Sequence, residues 1–243
     1  MRETLSTIPP HIQCRQILLT NLRPGHVVLD VGCGTGGLMS ELESMGCSVS
    51  GVEINRSLVE SCRANGLQVS EGRAERLPVE SESVDAIVCS VVLPYVDQKP
   101  AIAEWARVLH PGGMVNATYH GIGYGLDYLT RGAGFKTKFY GFRMLANTAF
   151  HALTGGRLPG FLGDTFCQNR RRLNSYYRSA GLELVSELIV NKCAGLPVFF
   201  CHRLMKPKRV QHNVTDATLD VSSRKFAADD GRIFAQAAAA ERN

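Results

Sequence analysis

The chain has no long apolar run. Its longest, residues 86–96, is broken by Ser90 and Pro94 and falls short of the roughly 18 residues a bilayer core requires. A membrane-spanning helix is therefore not expected. The first ten residues do not assemble the charged start, apolar middle and small-residue cleavage site of an export signal, so the expected location is the cytoplasm. None of the cysteines (Cys14, Cys33, Cys47, Cys62, Cys89, Cys167, Cys193, Cys201) has C-x-x-C spacing, and the histidines do not cluster. Reduced thiols and no metal site are expected. No segment repeats internally, and Asn213-Val214-Thr215 matches a glycosylation triplet only by chance. What remains is 243 residues with 44% hydrophobic and 20% charged side chains, enough to build one large domain and too apolar for global disorder.

A net charge of +5 raises the question of a nucleic-acid or membrane partner, and the answer depends on where the charges lie. Residues 1–118 carry 9 Lys and Arg against 13 Asp and Glu, whereas residues 119–174 carry 8 against 2. The body is mildly acidic, and the basic excess belongs to one internal segment.

The first 118 residues alternate short apolar runs with helical spacing, the pattern of a parallel sheet covered by helices. Strands are expected at 27–31, 48–52, 67–70, 84–92 and 114–118, and helices at 37–45, 55–64 and 100–109, with Asn55 as an N-cap and Pro111-Gly112-Gly113 as a turn. After residue 118 the rhythm breaks into a basic, aromatic stretch punctuated by Gly121, Gly123, Gly125, Gly132, Gly134 and Gly141, followed by a helix over 138–153. A helix at 170–180 and two strands at 183–190 and 197–203, pairing antiparallel at a sheet edge, complete the domain. From residue 206 the chain reads as a polar, mobile tail.

Asp30-Val31-Gly32-Cys33-Gly34-Thr35-Gly36-Gly37 lies where the first strand hands over to a helix. Glycines there let the backbone turn sharply and approach a ligand, and the helix start offers free amides. Glu53 follows at the end of the next strand, where a carboxylate can accept both hydroxyls of a ribose. This is a nucleotide-like cofactor site. Gly32, Gly34 and Gly37 also satisfy G-x-G-x-x-G, so spacing alone leaves a nicotinamide-dependent dehydrogenase open beside a binding protein without turnover.

Beyond spacing, Val28-Leu29-Asp30-Val31-Gly32-Cys33-Gly34-Thr35-Gly36 resembles the first motif of class I S-adenosylmethionine-dependent methyltransferases. Glu53, the run from Glu71 to Pro78, the run from Val84 to Ser90 and the run from Glu104 to Gly113 match in order. The resemblance implies a Rossmann-like α/β fold, a mostly parallel seven-stranded sheet with a cap (119–169) inserted between the fifth strand and the following helix, within a methyltransferase domain spanning 1–205. It implies S-adenosyl-L-methionine as cofactor: Asp30 and the backbone of Gly32, Cys33 and Gly34 at the methionine part, Glu53 at the ribose, Ile54 on the adenine, Arg73 and Ala74 at the adenine edge, and Ser90 closing the pocket. Arg73 departs from the family, which often has Asp there to accept from the adenine amino group, so Arg73→Asp is expected to tighten binding.

The methyl of such a cofactor is already activated, so the protein mainly aligns the acceptor. His120 is the candidate base, with Tyr119 and Tyr124 as positioning groups and Asp164 as a second orienter. Phe139, Phe142, Leu145, Ala146, Ala149, Phe150 and Leu153 share one helical face near Lys136, Lys138 and Arg143. Three uses fit: a lid over a small amphiphilic or anionic acceptor, simple packing on the sheet domain, or peripheral contact with anionic lipid. Nucleic acid is disfavoured as a partner, because Ser90-Val91-Val92-Leu93-Pro94-Tyr95 lacks the Asn/Asp-Pro-Pro-aromatic pattern of amino-methylating enzymes and Arg170-Arg171-Arg172 is short.

Overall fold

The computed structural model describes residues 10–208. In chain order the elements are α1 (Pro10–Leu18), β1 (Val27–Val31), α2 (Gly37–Ser44), β2 (Ser48–Glu53), α3 (Arg56–Ala64), β3 (Val69–Glu71), β4 (Val84–Ser90), α4 (Gln98–Val108) and β5 (Leu109–His120). The cap helices α5 (Ile122–Arg131) and α6 (Phe135–Thr154) follow, and then α7 (Arg170–Ser179), β6 (Glu183–Cys193) and β7 (Leu196–Met205). The seven strands form one sheet in the order β3-β2-β1-β4-β5-β7-β6, parallel except for β7, which runs antiparallel to both neighbours. Among the described residues no helix is long and apolar enough to cross a membrane.

The β-branched run in β4 follows from burial on both faces of the sheet. Ile87 and Cys89 face one core with Trp105, Leu29 and Phe200, while Ala86 and Val88 face the other with Met39, Leu42 and Val59. Asn55 caps α3 as expected, its side chain accepting from the amides of Ser57 and Leu58.

Three local expectations change. Pro111, Gly112 and Gly113 do not end a strand: they bulge within β5, so that Val84 pairs with Leu109 but Ala86 pairs with Met114. A side chain at Gly113 would stand 2.9 Å from the Asp85 carbonyl, and Lys206 clamps the bulge through backbone bonds to Gly112 and Gly113. That clamp ties down the start of the expected tail; residues 209–243 lie outside the described residues. The glycines after residue 120 do not all mark loops. Gly123 and Gly125 lie within α5 and Gly141 within α6. A β-carbon at Gly123 would meet the Leu196 carbonyl at 2.4 Å, and one at Gly141 would meet the Leu129 amide at 2.6 Å, so these glycines let helices pack tightly. Finally, α1 was not anticipated. It is short, and a tertiary anchor holds it: the Asn116 amide on β5 donates to the carbonyls of Leu18 and Thr20, each at 2.9 Å.

Candidate active site

The strand order reverses between β1 and β4, and a cleft opens at the carboxyl ends of the strands there, where open α/β sheets place their ligands. A cavity of about 450 Å³ is lined by Gly32, Glu53, Ile54, Arg73, Ala74 and Ser90, all expected from the sequence, and also by Glu75, Val91, Val92 and Tyr95.

The glycine loop shapes one wall. Gly32 and Gly34 have φ of +74° and +57°, left-handed values that burden any other residue. A β-carbon at Gly32 would strike Val92 at 2.3 Å, whereas nothing lies within 4 Å of one at Gly34. Gly34 thus leaves open space beside the cleft. Its amide donates to Oε2 of Glu53 at 3.0 Å, and the Asn55 amide donates to Oε1 at 2.9 Å. Both carboxylate oxygens are held by one backbone donor each and keep a further lone pair for ligand hydroxyls.

Asp30 lies buried at the end of β1 and does not line the cavity. Burial pushes its carboxyl up to about 7, with Arg15 pulling it back and Glu53 pushing it further. Cys33 contributes through its backbone: its sulfur would lie 2.7 Å from a β-carbon at Gly51, so the thiol fills the space above β2, and burial pushes it up to about 12. Ile54 is the exposed apolar floor of the cleft, 58% accessible. Arg73 reaches Glu75 at 3.2 Å. The other oxygen of Glu75, a residue that lines the cavity, is buried with no hydrogen-bond partner.

The residues suggested for catalysis do not converge on this cavity. Tyr119 is fully buried in the core, its hydroxyl 2.8 Å from that of Tyr177, which lies 2.9 Å from Nδ1 of His202. His202 in turn meets Glu187 at 2.9 Å, so Tyr119 belongs to a buried polar chain behind the sheet. His120 is also buried, stacked on Tyr124 with ring centroids 3.7 Å apart and edge-on to Phe199. Burial pushes it down to about 4, so at neutral pH it is an uncharged, weak base. Asp164 is paired with Arg143 at 3.0 Å, which fixes the cap rather than an acceptor. Tyr124 is half-buried, its hydroxyl 3.1 Å from that of Tyr128. Tyr128 packs against Tyr140, which stands beside Tyr95 of the cavity wall. Burial raises the Tyr124 and Tyr140 phenols, which therefore stay protonated.

Several residues carry no motif that would have announced them. Arg157 of the cap donates to the carbonyls of Pro94 and Val96 and stacks over Phe166, pinning the loop after β4 against the cleft. Val91 adopts φ of +56°, rare for a β-branched residue, at the same loop. Its position at the end of the switch-point strand was the one available signal.

Residues 29–116 match the family model described as a methyltransferase domain. An uncharacterized methyltransferase of Mycobacterium bovis is 37% identical over 95 residues, which are 38% of this chain and 39% of that protein. A tRNA (carboxymethyluridine(34)-5-O)-methyltransferase of Arabidopsis thaliana is 36% identical over 104 residues, 41% of this chain and 25% of that protein. The match thus spans well under half the length of these relatives. Among solved structures, a SAM-dependent methyltransferase of Methanosarcina mazei superposes with a TM-score of 0.60 at 22% identity, covering 83% of this chain and 99% of that one. The sequence match falls on the strands that form the cleft, and the structural match extends over the sheet. Residues 29–116 are thus similar to the methyltransferase-domain family, and the chain has the fold of S-adenosylmethionine-dependent methyltransferases.

Proposed function

We propose that the chain transfers the methyl group of S-adenosylmethionine to a small acceptor that enters between the loop after β4 and the tyrosines of the cap. The observation that carries this reading is the Glu53 carboxylate, bridged by the amides of Gly34 and Asn55 at the rim of a cavity on the switch point. That arrangement fits a ribose, and Ile54 offers an uncovered apolar surface for the adenine. Gly32 and Gly34 would hold the methionine part. In place of the usual Asp at Arg73, the neighbouring carboxylate of Glu75, which lines the cavity, would accept from the adenine amino group.

Bound there, S-adenosylmethionine supplies a methyl already activated on a sulfonium. The chain's own task is alignment and exclusion of water. Tyr95, beside Tyr140, offers a phenolic hydroxyl where the acceptor would enter. His120 lies too deep and too weakly basic to take a proton near neutrality. We therefore infer an acceptor atom that is nucleophilic without a strong base. Arg73 on the cavity wall and Arg157 of the cap beside it favour an anionic or amphiphilic molecule.

Calorimetric titration with S-adenosylmethionine, S-adenosylhomocysteine and NAD in parallel tests the cofactor. Binding of the first two alone is expected; tight NAD binding with no response to them would overturn the reading. The tRNA methyltransferase among the relatives keeps an RNA acceptor as the second reading. RNA binding with a steep salt dependence, together with methyl transfer to RNA, would replace the small acceptor.

A further inference from the structure

An ordinary surface helix turns its apolar stripe toward the core, and α6 does the reverse. At about 3.6 residues per turn, Phe135, Phe139, Phe142, Ala146, Ala149, Phe150 and Leu153 fall within about 60° of one line. The side packed against the protein carries Gly141, Met144 and Asn147, on the opposite side of the helix. Phe135 is 82% accessible and Leu153 is 87% accessible, with Phe142 at 58% between them. The stripe is most open at its two ends and at Phe142, with Phe139 and Phe150 a little over a third exposed and Ala146 half-buried, and Phe161 adds a further exposed ring from the turn that follows it. A continuous apolar face of this kind on a folded surface marks an interaction site.

The charges beside it select the partner. Lys136 and Lys138 are exposed and flank the stripe on either side. Arg143, by contrast, is turned inward onto Asp164 and the Phe161 carbonyl and takes no part. The sequence of α6 contains no acidic residue, and the cap carboxylates Asp127 and Asp164 are already paired with Arg131 and Arg143. A second copy docked stripe to stripe would therefore bring no anion to these lysines. A bilayer of anionic lipid supplies both an apolar layer for the rings and negative charge for the ammonium groups.

We propose that α6 lies on the surface of an anionic phospholipid bilayer, with Phe135, Phe142 and Leu153 entering the boundary between headgroups and acyl chains. The cap helices would then face the membrane while the sheet domain stays in water. This surface is independent of the methyl-transfer reading, since none of its residues lines the cleft.

Flotation of the full chain with vesicles of phosphatidylcholine, alone or mixed with phosphatidylglycerol, tests it. Association with the mixed vesicles alone is expected, weakening as salt is raised. The triple variant Phe135→Ser, Phe142→Ser, Leu153→Ser and the double variant Lys136→Glu, Lys138→Glu should each lose about tenfold or more of that association. Because these side chains are exposed, melting followed by the fluorescence of the buried Trp105 should stay unchanged, and so should S-adenosylhomocysteine binding. Equal or absent partition between the two vesicle types would overturn the proposal. So would full association of the triple variant. Light scattering provides a further check: a dimer that the triple variant dissolves, with no vesicle association in the wild type, would assign the stripe to a second copy instead.

Discussion

Glycines in the sheet domain and in the cap do different work. Gly32 and Gly34 stand in left-handed backbone, a conformation demanded by their own turn. Gly121, Gly123 and Gly141 have ordinary backbone, and the demand comes from a neighbour: the Pro197 carbonyl would stand 2.3 Å from a β-carbon at Gly121. The first kind of glycine announces itself locally, because turn and strand lie side by side in sequence. The second depends on contacts with a different element of the fold and looks like a loop until the partner is known.

Substitutions can pull the two regions apart. The largest effect on ligand binding is expected from Glu53→Ala, which removes the carboxylate and frees the Gly34 and Asn55 amides. S-adenosylhomocysteine affinity should fall about 100-fold, the equivalent of about 2.7 kcal/mol, measured by calorimetry. Next, Gly123→Val should drive α5 away from β7 and cost about 2 kcal/mol or more in urea unfolding, with cofactor affinity within about twofold of wild type. If that affinity collapses instead, cap and cleft are not separable.

Asp30 links binding to pH. The folded chain holds its proton up to about pH 7, while an ordinary carboxyl releases near 3.8, so this group makes stability fall as pH rises through that window. Asp30→Asn should remove that decline and raise the melting temperature at pH 8 by a few degrees. It should also weaken binding of the positively charged S-adenosylmethionine by about tenfold, of order 1.4 kcal/mol. A variant that loses affinity without gaining stability would contradict the burial account.

Smaller changes are expected at the adenine edge and the buried histidine. Glu75→Gln should weaken S-adenosylhomocysteine about fivefold, about 1 kcal/mol, by making one oxygen a poorer acceptor. Arg73→Asp, which sequence alone predicts to tighten binding, should bring no gain, because it breaks the pair with Glu75 and sets a second carboxylate beside the first. His120→Ala should leave turnover within about threefold while costing stability, since the ring is packed between Tyr124 and Phe199. A thousandfold drop in kcat in a folded variant would restore it to the chemistry.

Much of the sheet domain was legible from sequence, since β1, the glycine loop and Glu53 follow one another within a single β-α-β unit whose pattern is local. The edge hairpin could be read for the same reason. The cap's function could not. The helical period correctly gathers Phe139, Phe142, Phe150 and Leu153 on one face, but periodicity says nothing about whether that face meets protein or solvent. Nor does it reveal that His120, one residue beyond Tyr119 on the same strand, lies behind Tyr124 rather than on the cleft. Arg157 and α1 are held by carbonyl contacts from distant loops and strands, which leave no trace in composition.

All eight cysteines are free and buried. A thiol withdrawn from solvent reacts slowly with alkylating reagents. One new cysteine at an exposed position, such as Phe142→Cys on α6, would thus be modified well ahead of the native ones. A single-cysteine addition can in this way carry a spin or fluorescent label at a chosen point, and the depth of α6 against a vesicle could be measured without first stripping the core of its own sulfurs.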